Sequence, residues 1–376
     1  MSGVSPLASA ALWLDQPRLV YGLTRAVPWA LPVLGAAAAI EDARRAPQPC
    51  RSAAMIRDGA AMAGTVIAAL IGAKRFIAPA SLQGLKAGIA QVQRELPASA
   101  SASTRELLAL AQRRMLSPRQ VHRLRTDLLA AGATPQQGRD WMDRIIPRPQ
   151  GVTGKEILGE IKDLSLLGLL PVLGGLAGGV VGNAMTGENC RRRLKNQAQE
   201  ASFQYLANIV LCNIGAGAAL SALERTPLRH HRGARLGALI GGITAVGVLG
   251  GSAIANFIGK NLLGPMLEEG PIGGLRATVG RVRTEGVASL WRGLNDQRHI
   301  EATDVALHAD DFAVAGVFAG LKWITPLLAL LYTVSGYRAG VGYRNGAPPA
   351  PAMTRGASPF AQSPVFKPFY QQARVL

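Results

Sequence analysis

Three stretches of this chain contain no Asp, Glu, Lys or Arg over the length of a membrane crossing. They are residues 164–187, 201–223 and 236–259. A transmembrane helix needs about 20 predominantly apolar residues, and three such stretches in near succession are hard to place in a soluble core. We therefore predict an all-α fold: a membrane helix bundle whose members cross the bilayer or enter it as hairpins, with a small soluble helical insert.

Other apolar segments are less regular. Residues 312–337 form a fourth candidate span, which is interrupted by Lys322. Residues 26–40 and 59–73 are too short to span the bilayer. We predict re-entrant, interfacial or packed helices at these two shorter segments.

The chain divides into four predicted regions. They are an N-terminal region with two short apolar helices (1–80), a basic soluble helical insert (81–150), a membrane-embedded region (151–345) and a disordered proline-rich tail (346–376). Within and just after the insert, polar residues at capping positions stand before apolar helical segments. The predicted caps, each with its partner three residues later, are Ser103 with Glu106, Ser117 with Gln120, Thr134 with Gln137 and Thr153 with Glu156.

Small residues recur along one face of two predicted spans, at i, i+4 and i+8. Small side chains let helix backbones approach closely, which is how helices associate in lipid. We predict helix-packing stripes, used for self-association or for contact with other membrane helices, at Gly174, Gly178, Gly182, Gly247, Gly251, Ala255 and Gly259. We interpret the polar amides within the spans as hydrogen-bonding links between helices, namely Asn183, Asn208, Asn213 and Asn256.

The chain is strongly basic, with 41 Lys and Arg against 23 Asp and Glu and a net charge of +18. Two loops beside predicted spans carry clusters of basic residues, which suits anionic lipid headgroups. If the segment between these loops crosses the bilayer, the loops face opposite sides, and the positive-inside rule does not fix the orientation. The predicted headgroup-binding residues are Arg191, Arg192, Arg193, Lys195, Arg229, Arg232 and Arg235.

No motif in the sequence specifies a reaction. Phosphate loops, serine nucleophile elbows, HExxH and paired CxxC motifs are absent from it. We therefore predict no catalytic residue and no cofactor, and the pattern favours a non-catalytic protein over an enzyme. One stripe of acids with a histidine has the helical spacing of a metal or proton-relay site, although a solvated helix face is the simpler explanation. Its residues are Glu301, Asp304, His308 and Asp311.

Residues 283–294, RTEGVASLWRGL, resemble the acidic-Gly, aromatic, basic-Gly segment of mitochondrial carriers. The proline-acidic-basic motif that precedes this segment in that family is missing here, and three repeats are not visible. The transport function of the family is therefore not carried over. We interpret the segment as a short basic interfacial helix with Trp291 at the level of the headgroups.

These features predict an integral membrane protein, a scaffold, assembly component or membrane-remodelling component of a bacterial inner membrane. The predicted partners are a bilayer with anionic headgroups, further copies of the chain or other membrane helices, and a protein that docks on the C-terminal tail; nucleic acid is not expected. A transporter or pore built from packed glycine-rich helices is the alternative. A secreted protein that inserts into membranes is the second alternative.

Overall fold

A computed structural model describes residues 13–46, 48–77, 82–147, 151–187, 190–291 and 309–342 of the chain. These residues form helices joined by turns and short irregular segments, and they include no strand. The all-α prediction is therefore confirmed for the part of the chain that is described. The predicted tail, 346–376, lies outside it.

The helices run in the following order along the chain. They are α1 (Pro17–Arg45), α2 (Arg51–Phe76), α3 (Leu82–Glu95), α4 (Ala102–Arg113), α5 (Pro118–Ala131), α6 (Pro135–Ile145), α7 (Gly154–Thr186), α8 (Cys190–Phe203), α9 (Cys212–Leu223), α10 (Arg232–Gly242), α11 (Ser252–Ile258), α12 (Gly264–Glu269), α13 (Pro271–Glu285), α14 (Ala309–Phe318) and α15 (Leu328–Val341). Three π-helical segments join α8 to α9, α10 to α11 and α11 to α12 without a break. They are π1 (Gln204–Leu211), π2 (Ile243–Gly251) and π3 (Gly259–Leu263).

Among the described residues, five helices are long and apolar enough to cross a membrane, which supports a membrane location. They are Pro17–Arg45, Arg51–Phe76, Gly154–Thr186, Arg193–Leu223 and Gly233–Glu269. The three charge-free stretches lie in the last three of these helices. The two shorter stretches, 26–40 and 59–73, lie within α1 and α2 and so belong to helices of spanning length. The polar residues that end a charge-free stretch do not end these helices.

The fourth candidate span, 312–337, is not one continuous helix. It contains the end of α14, a 3-10 segment at Lys322–Leu327 and most of α15. Gly320 has a φ of 97°, a left-handed conformation that ends a helix. Pro326 lies inside the 3-10 segment, where its missing N–H removes a helical hydrogen bond. These two residues account for the interruption.

The chain divides into two compact units, which are described separately. So far as their residues are described, the small unit comprises Met1–Ala30, Ile77–Val152 and Gly316–Leu327, and the bundle unit comprises the remainder. In the small unit, helices α3 to α6 surround an apolar core. Its fully buried members include Ile89, Leu108, Leu124, Leu128, Trp141 and Ile145.

Three of the four predicted helix caps are confirmed. Ser117 and Thr153 form capping boxes with Gln120 and Glu156, and the Thr134 side chain accepts a hydrogen bond from the Gln137 backbone N–H. The prediction for Ser103 was wrong. Helix α4 begins earlier, and Ser101 is its cap, accepting from the Thr104 backbone N–H at 3.1 Å. Ser101 satisfies a terminal backbone donor in the same way that Ser103 was expected to.

Candidate functional site

The bundle unit buries a group of polar side chains among the apolar residues of its core. A large group of buried carboxylate, amide and guanidinium side chains would be unusual in the core of a soluble helical protein, because burying such groups costs free energy unless they are paired. The buried polar residues of this unit include Asn183, Gln197, Glu200, Gln204, Asn208, Asn213, Asp310, Asp311, Ser335 and Arg338. We treat these side chains as the candidate site.

One ion pair lies at the start of a polar ladder. Arg338 Nε and Glu200 Oε1 are 3.5 Å apart, with 2% and 1% of the two side chains exposed. Gln204 Nε2 donates to Glu200 Oε1 at 2.7 Å, and Asn208 Nδ2 donates to Gln204 Oε1 at 2.8 Å. Because Glu200, Gln204 and Asn208 follow one another at intervals of four residues, they form one polar row along α8 and π1.

Helix α15 contacts acidic side chains from three other helices. In addition to the Arg338–Glu200 pair, Tyr337 Oη donates to Asp42 Oδ2 at 3.0 Å. Ser335 Oγ donates to Asp310 Oδ2 at 3.1 Å. The three acids belong to α8, α1 and α14. A single short helix near the end of the described chain therefore holds polar groups from three earlier helices.

Gln197 links α7, α8 and α15. Its Nε2 donates to the Gly340 carbonyl oxygen at 2.6 Å, and its Oε1 accepts from Asn183 Nδ2 at 3.1 Å. Asn183 thus makes the kind of interhelical bond that the sequence predicted for the asparagines. The amides of Asn208 and Asn213 instead donate within their own helical run, to Gln204 and to the Ile209 carbonyl oxygen.

The acidic stripe lies mostly outside the described residues. Glu301, Asp304 and His308 are not described, and Asp311 is buried at 2% exposure rather than on a solvated face. The Asp311 carboxyl accepts a hydrogen bond from the Cys212 thiol. Among the described residues, no group of three or more His, Cys, Asp and Glu side chains is gathered as metal ligands require.

The first glycine stripe lies against α2. A Cβ atom on Gly174 would overlap the Gly64 carbonyl oxygen, and one on Gly178 would overlap that of Ala60. At Gly182, a Cβ would lie 2.8 Å from Arg57 Cα. As the residue numbers rise along α7, the numbers of the contacting residues on α2 fall, so the two helices are antiparallel at this contact.

A second set of glycines on α7 lies against α15. A Cβ on Gly175 would overlap the Gly336 carbonyl oxygen, and one on Gly179 would overlap that of Gly340. Here the numbers rise together, so α7 and α15 run parallel. Glycines at adjacent positions of α7 therefore let two different helices approach its backbone.

The second stripe faces α8, π1 and α9. A Cβ on Gly251 would lie 2.6 Å from Ala207 Cα, and one on Gly247 would overlap the Cys212 side chain. Ala255 packs with Phe203 and Ala207 in one buried cluster. Gly259 is looser, since a Cβ there would meet Gln199 Cγ at an ordinary 3.7 Å.

The basic residues predicted to bind headgroups make several contacts within the protein. Lys195 pairs with Glu268, and Arg235 Nη1 lies 3.2 Å from Glu224 Oε1. Arg229 lies in an exposed 3-10 segment, and its Nε donates to His230 Nε2 at 3.0 Å. Arg193 is partly exposed on α8, whereas the side chains of Arg191, Arg192 and Arg232 are not described.

The small unit has a buried acid of its own. Asp15 is 3% exposed. Burial raises the pKa of Asp15 to about 6, while the charge and the backbone N–H of Lys322 act in the opposite direction. Next to it, Gln16 pairs with the Leu116 backbone in both directions, donating to its carbonyl and accepting from its N–H at 2.9 Å each.

Sequence reasoning missed the central residues of the candidate site. Glu200 stands at the polar end of a charge-free stretch, and Arg338 follows the fourth candidate span by one residue, so both were counted as boundaries. A usable signal was present in the four-residue spacing of Glu200, Gln204 and Asn208, which places all three on one helix face.

In the part of the chain that the structure describes, the fold is all-helical, with five helices of spanning length and a group of buried polar side chains in the bundle unit. No protein-family model, curated protein or solved structure matches the chain. The following proposals are therefore based on the geometry of its own residues.

Proposed function

We propose that this chain is an integral membrane protein of a bacterial inner membrane. The observation that carries the proposal is the exposure of large apolar side chains on the spanning helices of the bundle unit, a unit that also buries charged and amide side chains. Water would disfavour such a surface, whereas lipid tails would cover it. The exposed side chains include Ile67 (60%), Ile71 (57%), Val181 (54%), Met185 (66%), Leu249 (53%) and Ile254 (45%).

The role that the geometry supports best is that of a non-catalytic scaffold, assembly component or membrane-remodelling component. The backbone of helix α7 lies directly against the backbones of α2 and α15, so these helices are closely packed where they meet. The glycine stripes act as helix-packing residues within the bilayer. The basic loops hold anionic headgroups, and the C-terminal tail recruits a protein partner.

Alkaline-carbonate extraction of membranes from cells that express the full chain tests membrane integration. The chain should remain in the pellet. An Ile67→Arg variant should lower that fraction, because an arginine at the centre of a span costs about 2.5–3.5 kcal/mol. Leu228→Arg is the matched control, because Leu228 is also exposed, at 55%, but lies in a 3-10 segment between helices. Recovery of the unmodified chain in the supernatant would reject the proposal.

A transporter is the second candidate, and the buried Glu200–Arg338 pair with its ladder is the observation that favours it. Ionisable groups inside a membrane bundle commonly mark ion or substrate pathways. Purified chain in liposomes distinguishes the two roles, since a scaffold gives no solute or proton flux. Flux that is lost in Glu200→Gln would establish transport, and the transporter would then be the better-supported role.

A further inference from the structure

The π-helical segments π1 and π2 face each other. Gly251, in π2, packs on Ala207, in π1, and Gly247 packs on Cys212 directly after π1. Segments of eight and nine residues in this conformation are rare, and π-helical turns are frequent at functional sites. The close contact of two such segments is therefore a place to look for a ligand.

Three buried polar residues that each follow a residue of this contact in the sequence have a side-chain atom without a hydrogen-bond partner among the described residues. Those atoms are Asn208 Oδ1, Asn213 Oδ1 and Ser252 Oγ. The three side chains are 3%, 1% and 5% exposed. Asn208 follows Ala207, Ser252 follows Gly251, and Asn213 follows Cys212, so each adjoins a residue of the π1–π2 contact. A buried polar atom without a partner costs free energy, and it commonly indicates an ion or a water molecule.

The hydrogen bonds of the two amides determine which ligand fits. The Gln204 amide N–H donates to the Glu200 carboxylate, and Asn208 Nδ2 in turn donates to the Gln204 side-chain oxygen. Asn213 Nδ2 is held by the Ile209 carbonyl oxygen at 2.5 Å. Both amides therefore use their nitrogen within the protein and present an oxygen, which is an acceptor only. The ligand must be a cation or a hydrogen-bond donor.

We propose that a monovalent alkali-metal cation binds between π1 and π2, with Asn208 Oδ1, Asn213 Oδ1 and the Ser252 hydroxyl as ligands. Neutral amide, carbonyl and hydroxyl oxygens suit such ions. A divalent ion would require carboxylate ligands, and no such group is gathered among the described residues. This binding activity goes beyond a scaffold and does not require transport.

The test measures the thermal unfolding of the full chain in detergent micelles. Choline chloride is replaced stepwise by NaCl or by KCl at constant ionic strength, and tryptophan fluorescence gives the midpoint. Because a ligand that binds only the folded state stabilises it by mass action, one alkali cation should raise the midpoint in a saturable way that choline does not reproduce.

Variants assign the effect to the proposed ligands. Asn208→Leu and the milder Ser252→Ala should raise the half-saturating cation concentration by at least about tenfold, and Asn208→Asp should lower it. Thr333→Val is the matched control, since Thr333 is equally buried and donates only to the Ala329 carbonyl oxygen of its own helix; its half-saturation should not change. Equal midpoints in choline, sodium and potassium, or unchanged half-saturation in Ser252→Ala, would overturn the proposal.

Discussion

The Arg338 guanidinium and the Glu200 carboxylate form an ion pair at 3.5 Å with almost no exposed surface on either side chain. Removal of one partner leaves the other charged and buried, which costs about 3–5 kcal/mol. We expect Arg338→Met and Glu200→Gln each to lower the free energy of unfolding by roughly that amount. Equilibrium unfolding in mixed micelles measures it.

The double variant Glu200→Gln with Arg338→Met is the control for this pair. It removes both charges together, so it should be more stable than at least one single variant. Single variants that unfold at the same denaturant concentration as the unmodified chain would show that the pair is not buried as the structure has it.

The glycine contacts predict a second, position-specific effect. Gly175→Ala should destabilise the bundle by about 1–3 kcal/mol, because its methyl group would overlap the Gly336 carbonyl oxygen. The control is Gly237→Ala on α10, where no described atom lies within 4 Å of the added Cβ. Alanine favours a helix over glycine by roughly 0.5–1 kcal/mol, so this control should be neutral or stabilising. Thermal unfolding of the two variants in the same detergent should therefore show shifts of opposite sign.

The raised pKa of Asp15 leads us to expect that the stability of the small unit depends on pH. Burial raises the pKa of Asp15 to about 6, so the folded state binds a proton more tightly than the unfolded state does. The contribution of Asp15 is thus most favourable below the unfolded pKa and is lost as the pH rises through about 6. The loss amounts to about 3 kcal/mol.

An Asp15→Asn variant tests this assignment, because the amide is nearly the same size and does not titrate. Unfolding midpoints measured from pH 4 to pH 7 should fall less steeply in the variant than in the unmodified chain. Parallel curves would mean that another group is responsible for the slope.

Asn261, in the middle of π3, is a position where a substitution should weaken the structure locally. It is 1% exposed; its Nδ2 donates to the Leu290 carbonyl oxygen at 3.0 Å, and its Oδ1 accepts from Arg281 Nη2 at 2.7 Å. Asn261→Ala leaves these groups without their partner, which costs about 1–3 kcal/mol. Limited proteolysis should cut α13 faster in this variant. The exposed Thr284, which donates only to carbonyl oxygens of its own helix, provides the control as Thr284→Ala.

The sequence predicted the helical class and three of the spanning helices because the absence of charge over a long segment is a local property. It also placed the caps at Ser117, Thr134 and Thr153, whose hydrogen bonds reach only three residues along the chain. The lengths of α1 and α2 were underestimated, because the end of an apolar stretch was taken as the end of a helix.

The candidate site was not predictable in the same way. Arg338 and Glu200 are far apart in the sequence, and each has a charge that indicates a boundary when it is read locally. The glycines of α7 illustrate the same limit: the spacing of Gly174 and Gly178 marks one face, but Gly175 and Gly179 contact α15, and only the fold shows which helix lies there.

The parallel contact between α7 and α15 also bears on the order in which the chain is made. A helix with six glycines and a proline in its apolar part enters lipid weakly by itself, and its Gly175 and Gly179 face a helix that is synthesised much later than α7. Until then, the part of α7 that packs on the α15 backbone lacks this neighbour. The nascent chain must therefore keep a glycine surface covered by lipid, by the insertion machinery or by a temporary neighbour until α15 has been made.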